Sequence, residues 1–223
     1  MSPGEIAAVI FDLDGVLLDS ESAWVEVKKE FTEESGGRWK EEARWDMLGM
    51  SSTEWSQYMH DELGVPVPPE RISSEVADRL VQRYRRRLPL LPGAVAAVRS
   101  LARHWPLALA SSSNRNVIDL VLGEAGIADA FQATVSSEEV ERGKPAPDVY
   151  LEAARRLGAE PPRSVAIEDS TNGIRSAHAG EMAVIAVPNR DFPPEPDVLA
   201  LAAAVLDSLE ELNPERVRAL ATA

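Results

Sequence analysis

Asp12 and Asp14 are the first residues of this sequence whose types and spacing suggest chemistry. They follow a short apolar run at 6–11, and two residues apart on an extended chain they point to the same side. Other apolar runs also end in polar groups: Ser111-Ser112-Ser113 after 106–110, and Glu168-Asp169 after 164–167. Gly143-Lys144-Pro145 adds a loop lysine just ahead of a helical pattern. In open α/β sheets ligands bind beyond the carboxyl ends of the strands, so these residues are expected at one rim. Four carboxylates and one ammonium gathered there repel each other unless a cation joins them. Oxygen-only ligands suit a hard divalent ion, Mg2+. A bound phosphate would in turn give the lysine and a serine hydroxyl their partners.

The elements that must position these groups are readable from the pattern. Continuous apolar runs at 6–11, 106–110, 133–135, 164–167 and 183–187 alternate with helical periodicity. The helices read as 114–124 before Gly126, 148–157 before Gly158 and 171–179 before Gly180, with glycine at each expected stop. This predicts a doubly wound, Rossmann-like α/β fold with a parallel sheet. Between residues 20 and 88 only helical periodicity is found, broken by Pro66, Pro68 and Pro69. The expected division is a core of residues 1–19 and 89–223 with an inserted α-helical unit at 20–88. Trp24, Trp39, Trp45 and Trp55 all fall in the insert, where a small core needs large anchors. Trp24, close behind the first strand, is kept as a substrate-pocket candidate.

Four motifs in order resemble the haloacid dehalogenase superfamily of phosphotransferases. Asp12-Leu13-Asp14-Gly15-Val16 is similar to its first motif, Ser111 to the second, Lys144 to the third and Glu168-Asp169-Ser170 to the fourth. The fuller strings at 12–20, 143–148 and 168–174 resemble the β-phosphoglucomutase-like subfamily, whose cap domain corresponds to the helical insert. The resemblance implies that Asp12 is a nucleophile forming an aspartyl-phosphate and that Asp14 is the general acid and base. It implies Mg2+ held by the Asp12 carboxylate, the Asp14 backbone carbonyl and Asp169, with Glu168 in an outer-shell or water-mediated place. Lys144 and Ser111, with backbone N–H groups near Asp14 and Ser112, would hold the phosphoryl oxygens. The implied activity is a Mg2+-dependent phosphatase acting on a small phosphorylated metabolite, sugar-phosphate-like.

Structural roles compete for several of these residues. Asp19 or Ser20 is expected to N-cap the first helix of the insert, and Ser113 the helix after it in the motif region. Asp169 could cap the helix starting near Thr171. Arg83, Arg85, Arg86 and Arg87 read first as a solvated helix end, with a substrate grip as the alternative. His60, His104 and His178 sit on helix-like stretches and read as structural. Gly143-Lys144 is no Walker loop, because Pro145 stands where Ser or Thr is needed.

Composition excludes whole classes. Among 223 residues there is no cysteine, so disulfides, thiolate metal sites and thiol nucleophiles are absent. A net charge of −14 argues against a nucleic-acid partner. No apolar run approaches the roughly 20 residues that span a bilayer. A cytoplasmic, monomeric enzyme is the expectation. A phosphomutase shares every core residue; the subfamily's mutases carry a histidine at the position of Trp24 and an arginine near Ser52, and both are missing here. A phosphonatase would need a lysine of the insert, with Lys28, Lys29 and Lys40 available. A receiver-type phosphoacceptor module would lack the insert altogether.

Overall fold

The computed structural model describes residues 5–220, so 1–4 and 221–223 of the expected core lie outside the described residues. Six strands carry the fold: β1 (Ala8–Phe11), β2 (Leu107–Ser111), β3 (Phe131–Ser136), β4 (Ser164–Glu168), β5 (Ala183–Ala186) and β6 (Ala204–Val205). They form one parallel sheet in the order β3-β2-β1-β4-β5-β6. The chain winds outward from β1 through β2 to β3, then returns to lay β4 on the other side of β1. That reversal opens a crevice at the carboxyl ends of β1 and β4, where doubly wound sheets bind ligands.

Strand β1 is buried along its whole length, as its unbroken apolar run requires. Its side chains alternate between two cores. Val9 and Phe11 join Leu107, Leu109, Val165 and Ile167 on one face. Ile10 joins Ala108, Ala110 and Ala166 on the other, against Tyr150 and Ile174. Those two residues come from α7 (Asp148–Leu157) and α8 (Thr171–Ala179), whose bounds coincide with the helices read from the sequence.

Between β1 and α5 (Ala94–Leu101) lie only helices among the described residues: α1 (Glu21–Glu34), α2 (Ala43–Asp46), α3 (Ser52–Asp61) and α4 (Pro69–Arg86). A reciprocal capping box starts α3, with Ser51 Oγ accepting from the Glu54 N–H and Glu54 accepting from the Ser51 N–H. Proline at its first position starts α4. The helical segment meets the sheet-covering helices through α4 and α6 (Arg115–Glu124), where Asn114 donates to Ser73 at 2.8 Å and Asn116 to Asp78 at 2.9 Å. The chain closes with α9 (Pro196–Leu199), β6 and α10 (Pro214–Ala219). The edge strand β6 is absent from the sequence reading, because two residues with Val205 half exposed carry no period.

Three local expectations are corrected. Ser20 holds the N-cap position of α1, but its side chain makes no cap; the residue is fully buried in helical geometry, with its hydroxyl unpartnered. The N-cap of α6 is Asn114, not Ser113. At the end of α8 the left-handed residue is Glu181, φ 62°, and Gly180 keeps an ordinary φ of −81°.

Candidate active site

The end of β1 turns sharply after Asp12, and Gly15 makes the turn possible with φ 77°. A β-carbon at Gly15 would stand 1.9 Å from Asp169 Oδ2, so glycine also lets the two strand ends approach. Gly173, in the first turn of α8, does the same for Glu168: a β-carbon there would meet its carboxylate at 1.8 Å. Ser170, not Asp169, caps α8 by accepting from the Gly173 N–H at 3.1 Å, which leaves the Asp169 carboxylate free for other work.

Carboxylate oxygens of Asp12, Glu168 and Asp169 all lie within 4.8 Å of one another, and all three residues are buried. Lys144 Nζ stands 2.5 Å from Asp12 Oδ1 and 2.7 Å from Glu168 Oε1. Its ammonium also lies over the Tyr150 ring, 4.9 Å from the centroid. Glu168 is saturated by protein donors. It accepts from Lys144, from the Tyr150 hydroxyl at 2.7 Å, from the N–H groups of Asp169 and Ser170, and from the Ser170 hydroxyl. Asp169 accepts no hydrogen bond from any described side chain or N–H. One ammonium among three buried carboxylates leaves negative charge uncompensated. Burial, then Glu168 and Asp12, push Asp169 well above the usual carboxylate range. Burial also raises Asp12, to about 8, with Lys144 pulling against it. Burial works against the Lys144 ammonium, yet Asp12 and Glu168 hold it above its ordinary value. An all-oxygen set with this charge deficit fits a hard divalent cation, and Asp12 and Asp169 are the ligands left open for one.

Asp14 is held apart from this trio. Trp24 Nε1 donates to its Oδ1 at 2.9 Å and the Ser113 hydroxyl to its Oδ2 at 2.5 Å. Ser113 therefore orients Asp14 where the sequence reading had it capping a helix. Ser111 is fully buried at the end of β2, and its hydroxyl accepts from the Ser113 N–H at 3.0 Å. Ser112 forms cavity wall beside Asp12, Asp14, Lys144 and Asp169, around a volume of about 340 Å3. Trp45 and Phe192 line the same cavity, their rings 5.2 Å apart. Trp45 is 54 % exposed, so it anchors no core, whereas Trp55 is buried as expected.

The remaining candidates fall away from the site. Arg83 pairs with Glu26 and Glu30 on the exposed face of α4 and α1, as a solvated helix end should. His60 Nδ1 contacts the carbonyls of Val65 and Val67, a structural role. Two residues of α1 also reach the site: Glu21, which the sequence reading does not name, and Lys28, which it names only for the phosphonatase alternative. Glu21 lines the cavity, and burial followed by Asp14 raises it to about 7. Lys28 is lowered to about 8 by burial, against the pull of Glu21 and Asp14. Their signal was present in the sequence: Glu21, Trp24 and Lys28 are spaced i, i+3, i+7 and share one helix face.

A doubly wound sheet with a buried carboxylate trio and a lysine at its switch point defines an α/β enzyme built around anionic chemistry. The sequence pattern of the haloacid dehalogenase-like hydrolases matches residues 6–180, and the chain belongs to that family. Hexitol phosphatase B of Escherichia coli (strain K12) is 34 % identical over 234 residues, covering 95 % of this chain and 96 % of that protein. The bifunctional riboflavin kinase/FMN phosphatase of Arabidopsis thaliana is 30 % identical over 212 residues; the match covers 94 % of this chain but 55 % of that longer protein. Among solved structures, CbbY from Rhodobacter sphaeroides in complex with phosphate superposes with a TM-score of 0.83 at 26 % identity, covering 93 % of this chain and 96 % of that one. The β-phosphoglucomutase of Clostridium difficile shares the fold, with a TM-score of 0.83 at 23 % identity over 97 % of both chains. The protein is an enzyme of the haloacid dehalogenase hydrolase type, and its phosphatase relatives set its reaction class as phosphoric monoester hydrolysis. No helix among the described residues is long and apolar enough to cross a membrane.

Proposed function

We propose that this enzyme is a Mg2+-dependent phosphatase of a small, sugar-phosphate-like metabolite, acting through an aspartyl-phosphate on Asp12. The observation that carries this reading is the buried Asp12 carboxylate, 2.5 Å from Lys144 and grouped with Glu168 and Asp169 at the strand-order switch. Asp12 attacks phosphorus in line and expels the alcohol, so one hard displacement becomes two easier ones. Asp14, fixed by Trp24 and Ser113, gives its proton to the leaving oxygen and later takes one from the attacking water. Lys144 offsets the charge of Asp12 and holds a phosphoryl oxygen, while Ser111 and Ser112 frame the opposite side. Asp12 and Asp169, with the Asp14 carbonyl, would hold Mg2+, which would supply neutralising charge to the phosphoryl group. Glu168 works from behind, orienting Lys144.

Residues 20–88 form a cap domain on this reading, and 1–19 with 89–223 the catalytic core. The cap carries Trp24 and Trp45 to the cavity and shields the phosphoenzyme from stray water. Trp24 donating to Asp14, where the mutases of the subfamily carry histidine, supports hydrolysis over phosphoryl transfer between sugar hydroxyls.

Asp12→Asn is the test. Phosphate release from an aryl phosphate with Mg2+ is expected to fall by more than about a thousandfold, the scale of losing a nucleophile. Wild-type activity should vanish with chelation and return with Mg2+. Activity that survives the Asn substitution sinks the mechanism.

A further inference from the structure

Next to Asp14 a second, smaller cavity of about 60 Å3 runs between α1 and α3, walled by Glu21, Trp24, Lys28 and Trp55. Glu21 and Asp14 belong to both cavities, so the small one is a side chamber of the site. Lys28 Nζ lies 5.3 Å from the Trp24 ring centre and 4.9 Å from that of Trp55, and the rings themselves are 5.9 Å apart. The two rings attract the cation through their faces but accept none of its N–H bonds. Among the described residues Nζ has no hydrogen-bond acceptor and no ion-pair partner, although the residue is only 7 % exposed. The Glu21 carboxylate likewise has no donor among them.

The chemistry of the missing partner follows from these two groups. An ammonium donates and a carboxylate accepts, so a ligand group that serves both must do both, as each hydroxyl of a polyol does. A second phosphate suits the chamber poorly. It would meet one ammonium against the two carboxylates of Asp14 and Glu21, in a volume fit for a few water-sized groups.

We infer that Lys28 and Glu21 are specificity-determining residues that read the non-reacting end of a polyol monophosphate, Lys28 donating to a hydroxyl and Glu21 accepting from one. The inference rests on the phosphatase reading of the adjoining Asp12 site. It names the leaving group as a short polyhydroxy alcohol, and it counts against bisphosphates.

The test separates binding from turnover. In the Asp12→Asn protein with Mg2+, dissociation constants for a hexitol 6-phosphate, phenyl phosphate and a hexose bisphosphate are read from the fluorescence of the tryptophans around Lys28. With Lys28 in place the hexitol phosphate is expected to bind tightest of the three. Lys28→Met should weaken the hexitol phosphate about 10- to 100-fold, the worth of a charged hydrogen bond, and at least ten times more than it weakens phenyl phosphate. Lys28→Gln, which keeps a donor, should fall between. Equal weakening of all three ligands, a Gln variant as poor as Met, tightest binding of the bisphosphate, or no binding of the hexitol phosphate would each overturn the inference. So would borohydride trapping of Lys28 on an aldehyde phosphonate, which would make it a nucleophile. If the wild type releases no phosphate from any of the three while the binding selectivity holds, the phosphatase reading fails and the polyol subsite stands.

Discussion

Lys28 should cost the fold stability, and replacing it by methionine should make the protein harder to unfold. Burial brings its ammonium from 10.5 down to about 8. At 1.36 kcal/mol for each pH unit, that drop corresponds to about 3 kcal/mol of penalty for keeping the charged group in its chamber. Methionine keeps the four-atom stem against Trp24 and Trp55 but loses the cation–ring attraction, about 1–2 kcal/mol. Glu21 and Asp14, which face Lys28, also lose an opposite charge. The net expectation at pH 7 is a gain of about 1–2 kcal/mol, or roughly 2–8 °C in Tm for a chain of this size. The pH dependence identifies the cause. The folded-state value lies below the unfolded one, so between pH 8 and 10.5 the unfolded chain binds the extra proton. The penalty on the wild type is therefore full below pH 8, shrinks through that window and is gone above it. Urea unfolding of both proteins at pH 7, 9 and 10.5 measures this. A variant that is less stable at pH 7, or a stability difference unchanged across the three pH values, would refute the reasoning.

Gly15→Ala puts a side chain at φ 77° and 1.9 Å from Asp169 Oδ2. It should lose about 1–3 kcal/mol in urea unfolding, and Mg2+-dependent phosphate release should fall out of proportion to that loss because the turn is pushed off Asp169. Trp24→Phe keeps the ring but removes the N–H that Asp14 accepts at 2.9 Å, so kcat on phenyl phosphate should drop about tenfold. Arg83→Ala breaks only exposed pairs with Glu26 and Glu30 and should stay within about 0.5 kcal/mol of the wild type, with kcat/KM unaltered.

How much of this was legible beforehand depends on the range of the interaction. The strand ends at Asp12, Ser111 and Glu168 and the helices α7 and α8 follow from local pattern, because a fully buried parallel strand must read as an apolar run and its end must be polar. Of the four carboxylates and one lysine expected at one rim, Asp12, Lys144, Glu168 and Asp169 come together through the strand order that puts β1 beside β4, while the Asp14 side chain turns to Trp24 and Ser113. Cap preference is a local tendency that tertiary packing overrides in two ways: the Ser113 hydroxyl goes to Asp14, ninety-nine residues earlier, while Ser20 holds the N-cap position in helical geometry with its buried hydroxyl unpartnered.

Residue types and order alone determined the fold class, the family and the carboxylates and lysine of the chemistry, because these are set by periodicity and by motifs at strand ends. Only the tertiary structure decided what surrounds them: that Glu168 is saturated while Asp169 stays open, that Trp24 and Ser113 share Asp14, and that Lys28 sits between two indole rings without an acceptor. Those outcomes depend on which helix of the 20–88 segment faces the sheet edge and on the rotation that brings Glu21, Trp24 and Lys28 inward. Packing sets that rotation by burying the largest apolar area at once, and no single segment of the sequence contains it.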